Sequence, residues 1–133
     1  MDTGKSALGL DGNVAAALGY PIGIIAIISL IMEKENRFVK FHALQSLLLH
    51  VGAVVVMIAL WILSAILLVG GAAAAAATDS GAFGGLIGML FGLIWLVFVV
   101  VYLLALIMSA VKAYQGNMFK LPIIGGMADK WVK

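Results

Sequence analysis

Four polar side chains, His42, Gln45, Ser46 and His50, stand at the head of a long uncharged stretch. At the helical rise and turn they fall within an arc of about 140°, and His50 lies roughly 13 Å beyond Phe41. A polar group at that depth in an apolar segment is a candidate for function. It is equally a candidate for a hydrogen bond across a bundle that fixes helix register. Ser46 and His50 have the i,i+4 spacing of a nucleophile and its base. No nucleophile elbow or orienting carboxylate accompanies them, so no catalytic residue is assigned and the chain is not expected to be an enzyme. His42 and His50 would lie ~12 Å apart along a helix, too far to share one metal ion. No HExxH spacing occurs, and the chain has no cysteine, which removes disulfides and thiolate metal sites. No metal site is predicted. His50, beside Gly52 and Ala53, could ligate the metal of a tetrapyrrole; no other cofactor is expected.

The elements that must carry these residues follow from composition. Hydrophobic residues make up 65% of the 133 residues and charged residues 11%, against roughly 45–50% and about 25% in soluble domains. Such a chain can be neither a water-soluble fold nor disordered. Its net charge of +2 offers no footprint for nucleic acid. Three uncharged stretches, residues 12–32, 41–78 and 80–111, each exceed or match the ~20 residues that cross a bilayer. Each must be helical, because lipid leaves no partner for a free backbone amide. The strong break lies at Gly70 and Gly71, the alanines 72–77, and Thr78 to Gly81. The expected fold is therefore all-α: an integral membrane three-helix bundle in one membrane domain, 1–133, with spans at about 13–32, 42–69 and 82–111. Asp79 or Ser80 would cap the third helix at its start, and Gly116 with Asn117 would close it. Residues 117–133, with Leu121, Ile123, Ile124, Met127 and Trp131 among lysines, would form a cytoplasmic interfacial segment.

Charge placement orients the chain. Lys34, Arg37 and Lys40 precede the second stretch, and Lys112, Lys120, Lys130 and Lys133 follow the third. Three crossings put these seven on one side and Lys5 on the other. Positive residues stay cytoplasmic, so a multi-pass protein of the cell membrane is expected, with its N-terminus outside and its C-terminus in the cytoplasm. The first stretch has no small-residue cleavage site and is expected to be retained. Glu33, Arg37 and Lys40 would pair along a helical turn, with Arg37 and Lys40 facing lipid phosphates. Ala15, Gly19 and Gly23 recur every four residues, as do Gly84, Gly88 and Gly92. Such seams permit close helix approach, so spans one and three would pack as a parallel pair, or the second seam would meet another chain. Pro21 should kink the first span.

The run EKENRFVKFHALQS (33–46), preceded by NVAAALGY (13–20), resembles a family of small uncharacterised archaeal and bacterial membrane proteins. The tail elements AYQG (113–116) and KLPIIG (120–125) resemble the same family's C-terminal signature, with Lys40 where arginine would be expected. That family is grouped loosely with the small membrane subunit of the chloroplast inner-envelope protein translocon. The resemblance marks Asn36, Arg37, Phe38, His42, Gln45, Ser46, Gly116, Leu121, Pro122 and Gly125 as signature positions and implies no particular activity.

Three functions remain open on this reading. The first is a non-enzymatic accessory subunit that packs by its glycine seams into a larger membrane assembly of other subunits or of itself. The second is an oligomeric translocation component for protein or small solute, lined by the His42–His50 face. The third is a tetrapyrrole-binding subunit using His50. The lipid bilayer is a partner in each.

Overall fold

The structure, a computed structural model, describes residues 3–78 and 81–132. Its helices are α1 (Gly12–Leu18), α2 (Gly23–Met32), α3 (Arg37–Thr78), α4 (Gly81–Tyr114) and α5 (Ile124–Trp131). Among the described residues there are no strands, only an isolated bridge between Lys5 and Asp11. The chain divides into two compact units, residues 1–52 with 103–133, and residues 53–102.

Two helices are long and apolar enough to cross a membrane, α3 and α4, with 42 and 34 residues. The expected third crossing is not found. Residues 13–32 form two short helices of 7 and 10 residues, about 10 and 15 Å long, where the hydrocarbon core is ~30 Å thick. The break falls at Pro21, which has no amide to donate and whose ring opposes the carbonyl of residue 17. Tyr20 N turns to Ala17 O at 3.2 Å instead. A Cβ placed on Gly19 would sit 3.5 Å from the Cβ of Ala26, and Ala15, Ala16 and Ala26 are buried. The small residues of this stretch thus bring α1 against α2.

Both ends of the stretch also attach to one neighbourhood. Asn13 N donates to Thr3 Oγ1 at 2.9 Å, and Asn36 Nδ2 donates to Thr3 O at 2.8 Å and Lys5 O at 3.2 Å. Asn13 Nδ2 reaches Tyr114 O at 2.8 Å. Bonds this short cannot bridge a bilayer, so residues 3–13 lie beside the 33–36 connection and the end of α4. Lys5 therefore lies beside the 33–36 connection, its carbonyl accepting from Asn36.

The second and third stretches are helical over more residues than expected. Alanine is the best helix former, and α3 runs through Gly70, Gly71 and residues 72–77 to Thr78. The cap expected at Asp79 or Ser80 lies outside the described residues. Asn36 caps α3, its Oδ1 accepting Val39 N at 3.2 Å. Gly116, at φ +76°, ends α4 in the paired pattern of a left-handed cap. Its amide donates to Ala113 O at 2.9 Å, and Asn117 N donates to Lys112 O at 2.9 Å.

Within the unit 53–102 the faces are open and apolar: Trp61, Val69 and Met89 are 69%, 72% and 68% exposed, as lipid-facing residues are. A polar link joins its two helical segments. Trp95 Nε1 donates to Ser64 Oγ at 3.2 Å, and Ser64 Oγ donates to Leu60 O at 2.7 Å. A Cβ on Gly84 would be 3.9 Å from Ala75 of α3, and one on Gly88, Gly92 or Gly23 would meet no atom within 4 Å.

The absence of native cysteine allows a direct test of the folded-back first stretch. Lys5→Cys and Lys130→Cys, made separately in the full chain, should both react with an impermeant maleimide from the same membrane face. Labelling from opposite faces would restore a crossing between them.

Candidate functional site

The first turns of α3 form the axis of the unit 1–52 with 103–133. No residue from 38 to 50 is exposed, and Val39, Phe41, His42, Gln45 and Ser46 are fully buried. A helix enclosed on all sides needs partners for any polar group it carries. Those partners are backbone atoms of the surrounding chain and the Tyr20 hydroxyl.

Gln45 does the most. Its Nε2 donates to Phe119 O at 3.0 Å and to Tyr20 OH at 2.8 Å. Its Oε1 accepts Leu121 N at 3.1 Å. One amide side chain therefore pairs the carbonyl and the amide of residues two apart in the non-helical segment that follows α4. His42 Nε2 lies 3.1 Å from Asn117 O, and its Nδ1 lies 3.0 Å from Tyr20 OH. A carbonyl only accepts, so Nε2 carries the proton, Nδ1 accepts from the Tyr20 hydroxyl, and that hydroxyl accepts from Gln45. Every proton in this chain of bonds has a destination. The His42 ring is held edge-to-face by Phe38, Phe41 and Tyr20, with centroids 4.6, 5.0 and 5.9 Å away.

Ser46 serves the break in the first stretch. Its Oγ donates to Gly19 O at 2.7 Å, a carbonyl stranded where Pro21 interrupts the helix. His50 Nδ1 donates to Ser46 O at 2.7 Å and lies 3.5 Å from Ser46 Oγ. The nitrogen facing the hydroxyl thus carries a proton, which is the wrong state for a base.

The charged loop departs from expectation. Glu33, Arg37 and Lys40 do not pair with one another. The buried Glu33 carboxylate accepts Ala7 N at 2.7 Å and Asn36 N at 3.2 Å, which ties the N-terminal loop to the start of α3. Arg37 reaches the other terminus, donating to Asp129 Oδ1 at 3.0 Å and Val132 O at 3.2 Å. Lys120 Nζ holds Asp129 Oδ2 at 2.8 Å. The Lys40 ammonium lies 3.4 Å from Lys34 O. The hydrogen bond from Lys120 holds the Asp129 carboxyl below its usual range; desolvation opposes it, and the charges of Lys120 and Arg37 each add a smaller lowering effect.

Gly125 completes the bracket. A Cβ there would lie 2.7 Å from both Gln45 Oε1 and Lys120 Cα, so only glycine lets α5 approach Gln45. The signature positions thus acquire physical roles. Asn36 caps, Arg37 clamps, Phe38 cages, His42, Gln45 and Ser46 pair backbone, Gly116 turns, Leu121 donates its amide, and Pro122 and Gly125 place α5. Tyr20 and Asp129 were not among the sequence candidates. A lone phenol before Pro21, in an otherwise apolar run, was the available signal for the first; nothing local marked the second.

Loss of Gln45 strands at least two buried backbone groups, each worth about 1–3 kcal/mol. Gln45→Ala should destabilise the chain by about 2–5 kcal/mol and unprotect the amides of residues 117–125 in hydrogen exchange. Acid should loosen α5 separately. The Asp129 contribution is full above the ordinary carboxylate range and is lost as pH falls through its depressed pKa. Asp129→Asn should abolish that acid-dependent step in α5 exchange.

Comparison with known proteins finds relatives over nearly the whole chain. A UPF0132 membrane protein of Methanocaldococcus jannaschii is 40% identical over 129 residues, covering 96% of this chain and 94% of its own length. A UPF0132 membrane protein of Archaeoglobus fulgidus is 34% identical over 123 residues, with 90% and 94% covered. A second M. jannaschii UPF0132 membrane protein is 30% identical over 128 residues, with 96% and 74% covered. No solved structure matches the chain. The kinship with the translocon subunit rests on the sequence resemblance alone. Residues 7–128 match the MamF/MmsF pattern, and the chain belongs to that family, described as the magnetosome magnetite crystal formation protein family.

Proposed function

We propose that this protein is a non-enzymatic accessory subunit, anchored by a two-helix membrane hairpin, that packs into a larger membrane assembly. The observation that carries this reading is a division of labour. The polar side chains that could do chemistry, His42, Gln45 and Ser46, are buried and committed to backbone atoms of their own chain. The apolar faces of residues 53–102 are open. A translocation path lined by His42 and Gln45 finds less support, because a lining group must face the path. The family description speaks of magnetite crystal formation, with which a scaffold's part in an assembly is compatible. Among the described residues, no three His, Asp or Glu side chains stand together as a metal-holding group.

The topology proposed with this function has two crossings and both termini on the cytoplasmic side. Lys5, Lys34, Arg37, Lys40, Lys112, Lys120, Lys130 and Lys133 then share one side, a more complete bias than three crossings provide.

Gentle purification of the full chain, native and as Gly88→Leu, tests the function. The native chain should travel with a constant set of membrane chains or copies of itself. Because nothing in its own chain lies within 4 Å of a Cβ at Gly88, Gly88→Leu should change stability by less than about 0.5 kcal/mol yet lose those companions. A native chain that runs as a companionless monomer would sink the proposal.

A further inference from the structure

Helix α5 has two unlike faces. Leu121, Gly125, Ala128 and Val132 are buried; Gly125 abuts Gln45, and Arg37 grips Asp129 and Val132 O. The helix is therefore held in one rotational setting. The opposite face presents Ile123, Met127 and Trp131, 83%, 39% and 65% exposed, at four-residue spacing that stacks them in one row. Lys130 lies beside that row, and Lys120 at its start.

Ile123 adds a second, independent observation. Its backbone sits at φ 64°, ψ −63°, and Ile124 N donates to Pro122 O at 2.7 Å. This is the rare, strained form of γ-turn. A β-branched residue is ill suited to positive φ, and the backbone there is strained. Glycine would remove it. No packing explains the isoleucine, since its side chain is the most exposed of the large apolar residues. A strained, outward-facing isoleucine at the head of an apolar row, flanked by cations, has the character of an insertion point.

We infer that the Ile123, Met127 and Trp131 row of α5 docks into the surface of an anionic lipid leaflet, with Lys130 at the headgroup level and Lys120 beside it in its pair with Asp129. The apolar row supplies burial at the acyl boundary, and Lys130 supplies charge complementarity to phosphate-rich headgroups. Both α4 and α5 lie in the C-terminal portion of the chain, with only residues 115–123 between them, so the leaflet is the one from which α4 emerges. Because α5 abuts Gln45, lipid engagement bears on the same bracket that organises the unit. This docking does not depend on the accessory role, and the two can fail separately.

The test uses the full chain in nanodiscs of phosphatidylcholine alone, or of phosphatidylcholine mixed with phosphatidylglycerol. Subtracting the emission of Trp131→Phe from that of the native chain isolates Trp131 from Trp61 and Trp95. In mixed nanodiscs, lipids brominated near the glycerol end of the acyl chain should quench Trp131, and aqueous acrylamide should not. Quenching should fall several-fold in phosphatidylcholine alone and in Lys130→Glu. Ile123→Gly should raise the unfolding midpoint, by release of strain, while lowering lipid quenching. Acrylamide quenching in both lipids would overturn the proposal. So would equal bromolipid quenching in both, which would show insertion without charge recognition. Protection from both quenchers with a doubled particle size would overturn it in favour of a second copy of this chain. An Ile123→Gly variant that is less stable but equally quenched would assign the residue to folding alone.

Discussion

The pairing of Gln45 with Phe119 O and Leu121 N is the constraint on which the rest of the site depends. Residues 117–121 are irregular backbone, and within them Leu121 and its amide are buried against α3. A buried, unpaired peptide group is among the more expensive defects a fold can carry. An amide side chain offers a donor and an acceptor in one plane, and that is what this non-helical segment presents. With the segment held, Asn117 O falls to His42, Gly125 falls against Gln45, and α5 is brought within reach of Arg37. Tyr20, which accepts from Gln45 and donates to His42, carries the same network to the break at Pro21.

The same physics accounts for the first apolar stretch. Pro21 interrupts the helix of the first stretch, and the stranded Gly19 carbonyl needs a donor. Ser46 provides it. The polar residues of α3 are thus the complement of two irregularities elsewhere in the chain. This is the usual condition for non-helical backbone near a membrane, tolerated where protein buries and pairs it.

The sequence showed the membrane character, the two long helices, the closing role of Gly116 and the grouping of His42, Gln45, Ser46 and His50 on one arc. Those features depend on local composition and helical period. It misled where the deciding contact is distant. Residues 12–32 have the length and apolarity of a span, and only the bonds from Thr3 to Asn13 and Asn36 reveal that the ends return to one place. Glu33, Arg37 and Lys40 have good spacing for mutual pairing. Their partners are instead Ala7, Asp129 and backbone carbonyls, in segments whose proximity no local rule predicts. Glycine spacing at Gly84, Gly88 and Gly92 signalled an ability to approach closely without naming a neighbour.

Glutamine occurs only at positions 45 and 115, so the bracket can be observed with little ambiguity. In nanodisc-embedded protein labelled with nitrogen-15 glutamine, the Gln45 side-chain amide should exchange slowly with water. It should also show nuclear Overhauser contacts to the Leu121 amide and the Tyr20 ring. Exchange as rapid as that of the exposed Gln115, with neither contact present, would contradict the account at its centre.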